Sequence, residues 1–228
     1  MRKRTFIFLL IILLCFPQYC SAEENLYDTS SNQHKKYNIF IELNELTLYL
    51  VDPKTNKFEK SYPISIGKKE TPSPVGNWHI KNKSNLKGPF GGYWLGLDVP
   101  WDTFGIHGTN RPDSIGSLAS HGCFRMNNYN IAEIFNSVDV GASVIIYPGP
   151  NFRFCLYSRV IHPNDSGFDV YEVQRRLKDL GYFKYDPNGI YGYTLEQAVL
   201  NYKFNQGLGD TTDIDDKFLD SIGLYKID

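Results

Sequence analysis

Residues 106–126 read IHGTNRPDSIGSLASHGCFRM. Two histidines and one cysteine stand in a segment otherwise rich in glycine and serine. A cysteine attacks as its thiolate and needs a base within reach, and His107 and His121 both qualify by position. His121 is two residues from Cys123. In an extended chain such residues point the same way, but their Cα atoms stand roughly 6–7 Å apart, too far for a short hydrogen bond without a bend. His107 can approach from a neighbouring strand. Gly122 lets the backbone come close to a ligand, and the amides of Gly122 and Cys123 can act as oxyanion donors. Arg125 is suited to hold a carboxylate by two parallel hydrogen bonds. Two other readings stay open at this point. His107, His121 and Cys123 could be three zinc ligands with water as the fourth. They could also be ordinary half-buried residues beside a turn, with Cys123 bonded to Cys155.

The flanks upstream read as β-structure. Ile39, Ile41 and Leu43 alternate with polar or outward residues, as do Leu46, Leu48 and Leu50, and Asn44-Glu45 can turn between them. SYPISIG (61–67) reads as a short strand stopped by Gly67, and TPSPVG (71–76) as a turn whose prolines fix φ. NWHIKN (77–82) resumes alternation, with Trp78 and Ile80 on one face. Downstream, Ile131, Ile134, Phe135 and Val138 form one helical stripe. Asn130 is the expected cap with Glu133 completing a capping box, and Gly141 the expected stop. SVIIYPG (143–149) reads as a closing buried strand. Gly91-Gly92-Tyr93-Trp94 and Trp101 precede the thiol and either line a cleft or belong to the core.

Residues 150–165 read as a linker, and the apolar FRFCLYSRV (152–160) implies that it docks. After Gly167 the period becomes helical. Val170, Val173, Leu177 and Leu180 line a first helix ended by Gly181. Thr194 with Gln197 is the expected capping box of a second helix carrying Leu195, Ala198, Val199 and Tyr202. Asp213 is the expected cap of a third, with Ile214, Phe218 and Ile222 inward. The predicted fold class is α+β: a mainly-β, sandwich-like domain with one short helix over 37–149, then a three-helix bundle over 166–228.

The N-terminus carries an address. Arg2, Lys3 and Arg4 precede an apolar run from Phe6 to Phe16, and Cys20-Ser21-Ala22 supplies small residues for cleavage. This pattern predicts a signal peptide over 1–22 and a secreted, extracytoplasmic protein, with 23–36 a flexible lead. The apolar run is shorter than the ~20 residues of a spanning helix. Loss of 1–22 removes three basic residues and no acidic ones, leaving 21 Lys and Arg against 25 Asp and Glu. That acidic balance argues against nucleic acid as a partner.

HGT (107–109) followed by SHGCFRM (120–126) resembles the signature of the L,D-transpeptidase family, the YkuD-type catalytic domain. YPISIGKKETPSPVG (62–76) extends the likeness, which covers about residues 38–148. The resemblance implies a β-sandwich and a thiol enzyme that needs no metal and no cofactor. It implies Cys123 as nucleophile, His107 as general base and the Gly108 carbonyl as the group orienting the imidazole. His121, Gly122 and Cys123 would frame the oxyanion site, Arg125 would contact the donor stem, and Ser120 would support the loop. Tyr93 and Trp101 are then candidates for the stem-binding cleft. The implied chemistry is acyl transfer between peptidoglycan stems: D-alanine leaves, a thioester forms, and an amine of a second stem gives a 3→3 cross-link. Water as acceptor would give an L,D-carboxypeptidase, and a silent thiol a non-catalytic wall-binding protein. VQRRLKDLGY (173–182) and NGIYGYTLEQAV (188–199) resemble the peptidoglycan-binding domain type 1 family, a three-helix module. Both resemblances imply the cell wall as partner, and on this reading Cys155 is an unpaired residue.

Overall fold

The computed structural model describes residues 35–149 and 159–224. The expected signal peptide, nearly all of the lead, and Cys155 lie outside the described residues. The first described stretch is a β-domain. Its strands in chain order are β1 (Asn38–Glu42), β2 (Thr47–Val51), β3 (Phe58–Pro63), β4 (Ile66–Gly67), β5 (Gly76–Ser84), β6 (Trp94–Leu97), β7 (Gly105–Gly108), β8 (Leu118–Ser120), β9 (Phe124–Met126) and β10 (Ser143–Tyr147). One helix, α1 (Asn128–Ser137), separates β9 from β10, and a single 3-10 turn spans Pro112–Ser114.

Eight strands form one sheet in the order β3-β2-β1-β10-β5-β6-β7-β9, and β4 pairs with β8 apart from it. The two ends of the large sheet nearly meet. Ser65, two residues past edge strand β3, exchanges backbone hydrogen bonds of 2.8 and 2.9 Å with Arg125 on the opposite edge strand β9. Edge strands carry unpaired N–H and C=O groups, so this bridge satisfies part of both edges. The β1–β2 hairpin takes the expected place, with Glu42 opposite Thr47 and Leu46 at φ 52° in the turn.

Burial follows the period-two pattern. Ile39, Ile41, Leu48, Leu50, Trp78, Ile80, Val144 and Ile146 point into one core, joined by Ile131 and Ile134 from α1 and by Val138 just past its end. Each fully buried aliphatic side chain contributes roughly 1.5–3 kcal/mol. The structure corrects several expected details here. SYPISIG is not one strand: β3 begins at Phe58, and the chain breaks at Ile64, whose N–H crosses to the Leu46 carbonyl. β10 is buried on one face only, for Ile145 and Tyr147 are exposed. Asn127, not Asn130, caps α1: its side chain accepts from the Tyr129 N–H at 3.0 Å, because the chain enters the helix directly from β9. Glu133 does not close a capping box; it meets Lys60 across the domain. The helix ends at Ser137, ahead of Gly141.

The second stretch is a helical module of α2 (Phe168–Asp179), α3 (Tyr193–Gln206) and α4 (Asp216–Ser221) around a separate core that includes Val170, Val173, Leu177, Leu195, Val199, Ile214, Phe218 and Ile222. Leu180, expected in the stripe, is the C-cap of α2 and exposed. Thr194 does not cap α3. Gly192 does so with its carbonyl, which accepts from Leu195 and Glu196. Asp215, not Asp213, caps α4 by accepting from the Phe218 N–H at 2.8 Å. Asp213 is held elsewhere by His162 and, through its backbone carbonyl, by Lys203. The turn before α3 is tied by the buried Gln174, whose amide makes four hydrogen bonds to Asn188, Gly189 and Ile190. The end of the expected linker joins this module: Ile161 pairs with Ile214, and Arg159 with Asp169 at 2.8 Å.

The β-domain and the module meet at Trp101. Its ring lies against Trp78, Phe168 and Tyr171, with centroids 5.3, 6.4 and 5.6 Å away. Gly189 takes φ 67°, and a Cβ there would come within 2.4 Å of that indole. A side chain at 189 would therefore force the two units apart. No helix among the described residues is long and apolar enough to cross a membrane.

Candidate active site

The site grows from the sheet edge. β7 lies between β6 and β9, and its register sets His107 opposite both Trp94 and Arg125. His107 is buried, stacked on Trp94 at 5.6 Å and met edge-on by Phe90 at 5.0 Å. Its Nδ1 stands 2.5 Å from the Gly108 carbonyl oxygen. A carbonyl only accepts, so Nδ1 carries the proton and donates it, and Nε2 is left as the acceptor. The expected orienting role of Gly108 therefore has its geometry.

Gly108 is small for a second reason. Asn128 at the start of α1 presses on it and on Gly91; added Cβ atoms would sit 2.4 and 2.0 Å from the Asn128 Oδ1. That oxygen accepts from the Thr109 N–H at 2.8 Å. Asn128 thus pins the strand end that carries the imidazole, and the sequence reading missed it. The sequence offers no signal for it beyond an Asn-Asn pair at a helix start.

Cys123 lies in the bend before β9, half-buried and free of any disulfide. Its Sγ is 3.9 Å from the Thr103 carbonyl. The bend is held from both sides. Ser120 Oγ donates to the Cys123 carbonyl at 2.6 Å and accepts from the Gly122 N–H at 2.9 Å. Ser73 Oγ donates to the Gly122 carbonyl at 2.8 Å and accepts from the Gly67 N–H at 2.9 Å. Gly122 takes φ 110°, and a Cβ there would be 2.5 Å from the Phe104 ring. The supporting role expected of Ser120 has these contacts. Ser73 does as much and was missed; its place between two prolines is its only mark in the sequence. The expected oxyanion role of Gly122 needs correcting in one respect. Its N–H is already spent on Ser120, whereas no hydrogen bond among the described residues occupies the N–H of Cys123.

A cleft of about 350 Å³ opens over the thiol. His107, Cys123, Arg125, His121 and Arg111 line it, with Phe90 on one wall. Both charges that line it are positive, so it suits a ligand that ends in a carboxylate. His121 is exposed at its rim. Tyr93 is not part of the cleft: its ring packs on Phe135, 4.8 Å away. Trp101 does not line this cleft; it lines a second one, at the contact with the helical module. Among the described residues no group of three His, Cys, Asp or Glu side chains could hold a metal ion.

Burial sets the protonation of the pair. It pushes the Cys123 thiol above its ordinary range, against smaller lowering effects of the Gly105 amide and Arg125. Burial likewise pulls His107 below the usual imidazole range, and the Arg125 charge adds to that. Both shifts favour the neutral forms of the thiol and of the imidazole that share this cleft. Such a pair fits general-base removal of the thiol proton during attack.

These motifs lie in a stretch that is similar to L,D-transpeptidase catalytic domains. Residues 36–146 match the family model described as L,D-transpeptidase catalytic domain, YkuD. Residues 166–222 match the model described as "Putative peptidoglycan binding domain". The chain is 43% identical over 113 residues to "Putative L,D-transpeptidase YkuD" of Bacillus licheniformis, a match that covers 49% of this chain and 66% of that protein. It is 42% identical over 111 residues to the Bacillus subtilis protein of the same name, covering 48% and 65%. The chain thus spans just under two thirds of the length of these curated relatives. A crystal structure of an Enterococcus faecium L,D-transpeptidase mutant is similar over 50% of each chain, with 27% identity and a TM-score of 0.42.

Proposed function

We propose that the chain is an exported L,D-transpeptidase that acts on peptidoglycan stem peptides through a thioester on Cys123. The observation that carries this reading is the hydrogen bond from His107 Nδ1 to the Gly108 carbonyl, which leaves Nε2 to accept a proton beside a free thiol in a cationic cleft. His107 Nε2 takes the thiol proton as Sγ attacks the carbonyl that precedes the terminal D-alanine. The Cys123 N–H faces the developing oxyanion. The imidazolium then gives the proton to the leaving amine, D-alanine departs, and the thioester remains. Arg125 holds the stem's carboxylate. An amine of a second stem attacks the thioester and yields a 3→3 cross-link.

The helical module holds the enzyme on the wall polymer and raises the local concentration of stems. A shallow hollow of about 170 Å³ on it, lined by Tyr182, Tyr185, Thr194, Gln197 and Asn201, has the mixed aromatic and polar lining that a glycan or peptide needs. Export over residues 1–22 would deliver the protein to that substrate.

Product analysis tests the reading. Purified protein incubated with a stem tetrapeptide should release D-alanine and form a cross-linked dimer. Cys123→Ala should lower both by about 10³-fold or more. Tripeptide without dimer would make the protein a carboxypeptidase. No D-alanine from folded wild type would leave it a wall-binding protein.

A further inference from the structure

A second and larger cleft, about 430 Å³, shares His121 with the first. One wall is the β-domain, with Glu70, Asp102, Phe104 and His121. The facing wall is the helical module, with Arg159, Ser166 and Phe168. We propose that this interdomain cleft receives the second substrate of the transfer, the stem that brings the attacking amine, and that the helical module is therefore part of the enzyme's acceptor site. This inference rests on the acyl-transfer reading above.

Three observations carry it. First, the cleft borders the thiol segment. His121 lines both clefts. Asp102 and Phe104 flank Thr103, whose carbonyl lies 3.9 Å from Cys123 Sγ. Phe104 also touches the Gly122 bend that aims the thiol. Second, the charges are sorted. The cleft over His107 carries Arg111 and Arg125 and no carboxylate. In the interdomain cleft Arg159 is neutralised by Asp165 and Asp169, at 3.2 and 2.8 Å. Glu70 and Asp102 have no cationic partner among the described residues, and Lys69 has no anionic one. Two free carboxylates against one free ammonium favour a guest that presents an ammonium group to this cleft. Third, the volume is in the range that encloses a short peptide segment, and the Trp101 contact with Phe168 and Tyr171 fixes the spacing of the two walls.

The step balances without a further reactant. The acceptor's ammonium gives one proton to solvent. Its nitrogen then attacks the thioester carbonyl, the C–N bond forms and the C–S bond breaks. His107 takes the second proton from nitrogen and returns it to the departing Sγ.

The test uses the full-length protein, with a tetrapeptide donor and a tripeptide ending in diaminopimelic acid as acceptor. Thioester formation and dimer formation are followed separately. Ser166→Trp fills the cleft from the module side, and Ser166→Lys adds a repelling cation. Each should raise the acceptor KM about tenfold or more while the acylation rate stays at the wild-type value. Glu70→Gln with Asp102→Asn should raise that KM several-fold. An unchanged acceptor KM in Ser166→Trp, with the variant folded by circular dichroism, would overturn the proposal. Equal loss of acylation and transfer in Ser166→Lys would overturn it too, since the cleft would then serve the donor. Absence of acylation in the wild type would instead sink the acyl-transfer reading itself, and this inference with it.

Discussion

Between Gly108 and Asn128, polar side chains hold the backbone. Ser120, Ser73 and Asn128 each tie main-chain groups at 2.6–2.9 Å, and Gly108 and Gly122 have no room for a Cβ. Between Phe168 and Gln206 the bonding is of another kind. Apolar side chains at helical spacing fill a core, and the turn glycines Gly181 and Gly207 have nothing within 4 Å of an added Cβ. The first region is organised to fix a few atoms. The second is organised to bury area. A substitution in the first should disturb chemistry more than stability, and one in the second the reverse.

Four substitutions or conditions can break that contrast. Leu177 is fully buried in the module core. Leu177→Ala should destabilise the module by about 2–5 kcal/mol in thermal or urea unfolding. Acylation by a small soluble stem should persist, and its collapse would show that the β-domain depends on the module for its chemistry. Gly122→Ala comes next. With φ at 110° and Phe104 2.5 Å from the new methyl, the bend must move. The acylation rate should fall about 100-fold, as misplacing a nucleophile by an ångström does. A near-normal rate would refute the claim that this bend aims the thiol.

Asn128→Ala leaves the Thr109 N–H without its acceptor, a loss of about 1–3 kcal/mol, and loosens the strand that carries His107. Acylation should drop about tenfold, because orientation and not proton transfer itself is impaired. Asn128→Asp keeps the acceptor and should recover most of it. The smallest effect concerns pH. Because burial and Arg125 lower the His107 pKa, the acid limb of the acylation profile should lie below the ordinary imidazole value of about 6.5. Arg125→Gln removes the neighbouring positive charge, so that limb should move up. Because burial raises the thiol, iodoacetamide should label Cys123 at pH 7 more slowly than a model thiol. Rapid labelling would mean a preformed thiolate and would contradict the neutral resting pair.

The same contrast explains what the sequence discloses. Periodicity reports burial, so the β1–β2 hairpin, the stripe of α1 and the cores of α2 and α3 were legible at Ile39, Ile131, Val173 and Leu195. Caps were misplaced by a few residues, at Asn130, Thr194 and Asp213. Several polar residues cluster at each helix start, and only the path of the entering chain selects one. The positions of His107, Gly108 and Cys123 could be inferred from a local motif. Asn128 and Ser73 could not, because their partners, Thr109 and Gly122, are 19 and 49 residues away. Trp101 and Tyr93 share a composition that suits either a cleft or a core. Phe135 packs on Tyr93, and Phe168 and Tyr171 seat Trp101 where it lines the interdomain cleft; these neighbours come from other elements.

The central claim is that Cys123 becomes a thioester with the donor stem. Intact mass spectrometry of the purified protein, after brief incubation with a stem tetrapeptide and acid quench, measures it directly. The account predicts a mass increase equal to the tetrapeptide less D-alanine on the wild type, one equivalent of D-alanine in solution, and neither with Cys123→Ala. D-alanine release with no adduct at any quench time, or an adduct that survives in Cys123→Ala, would contradict it.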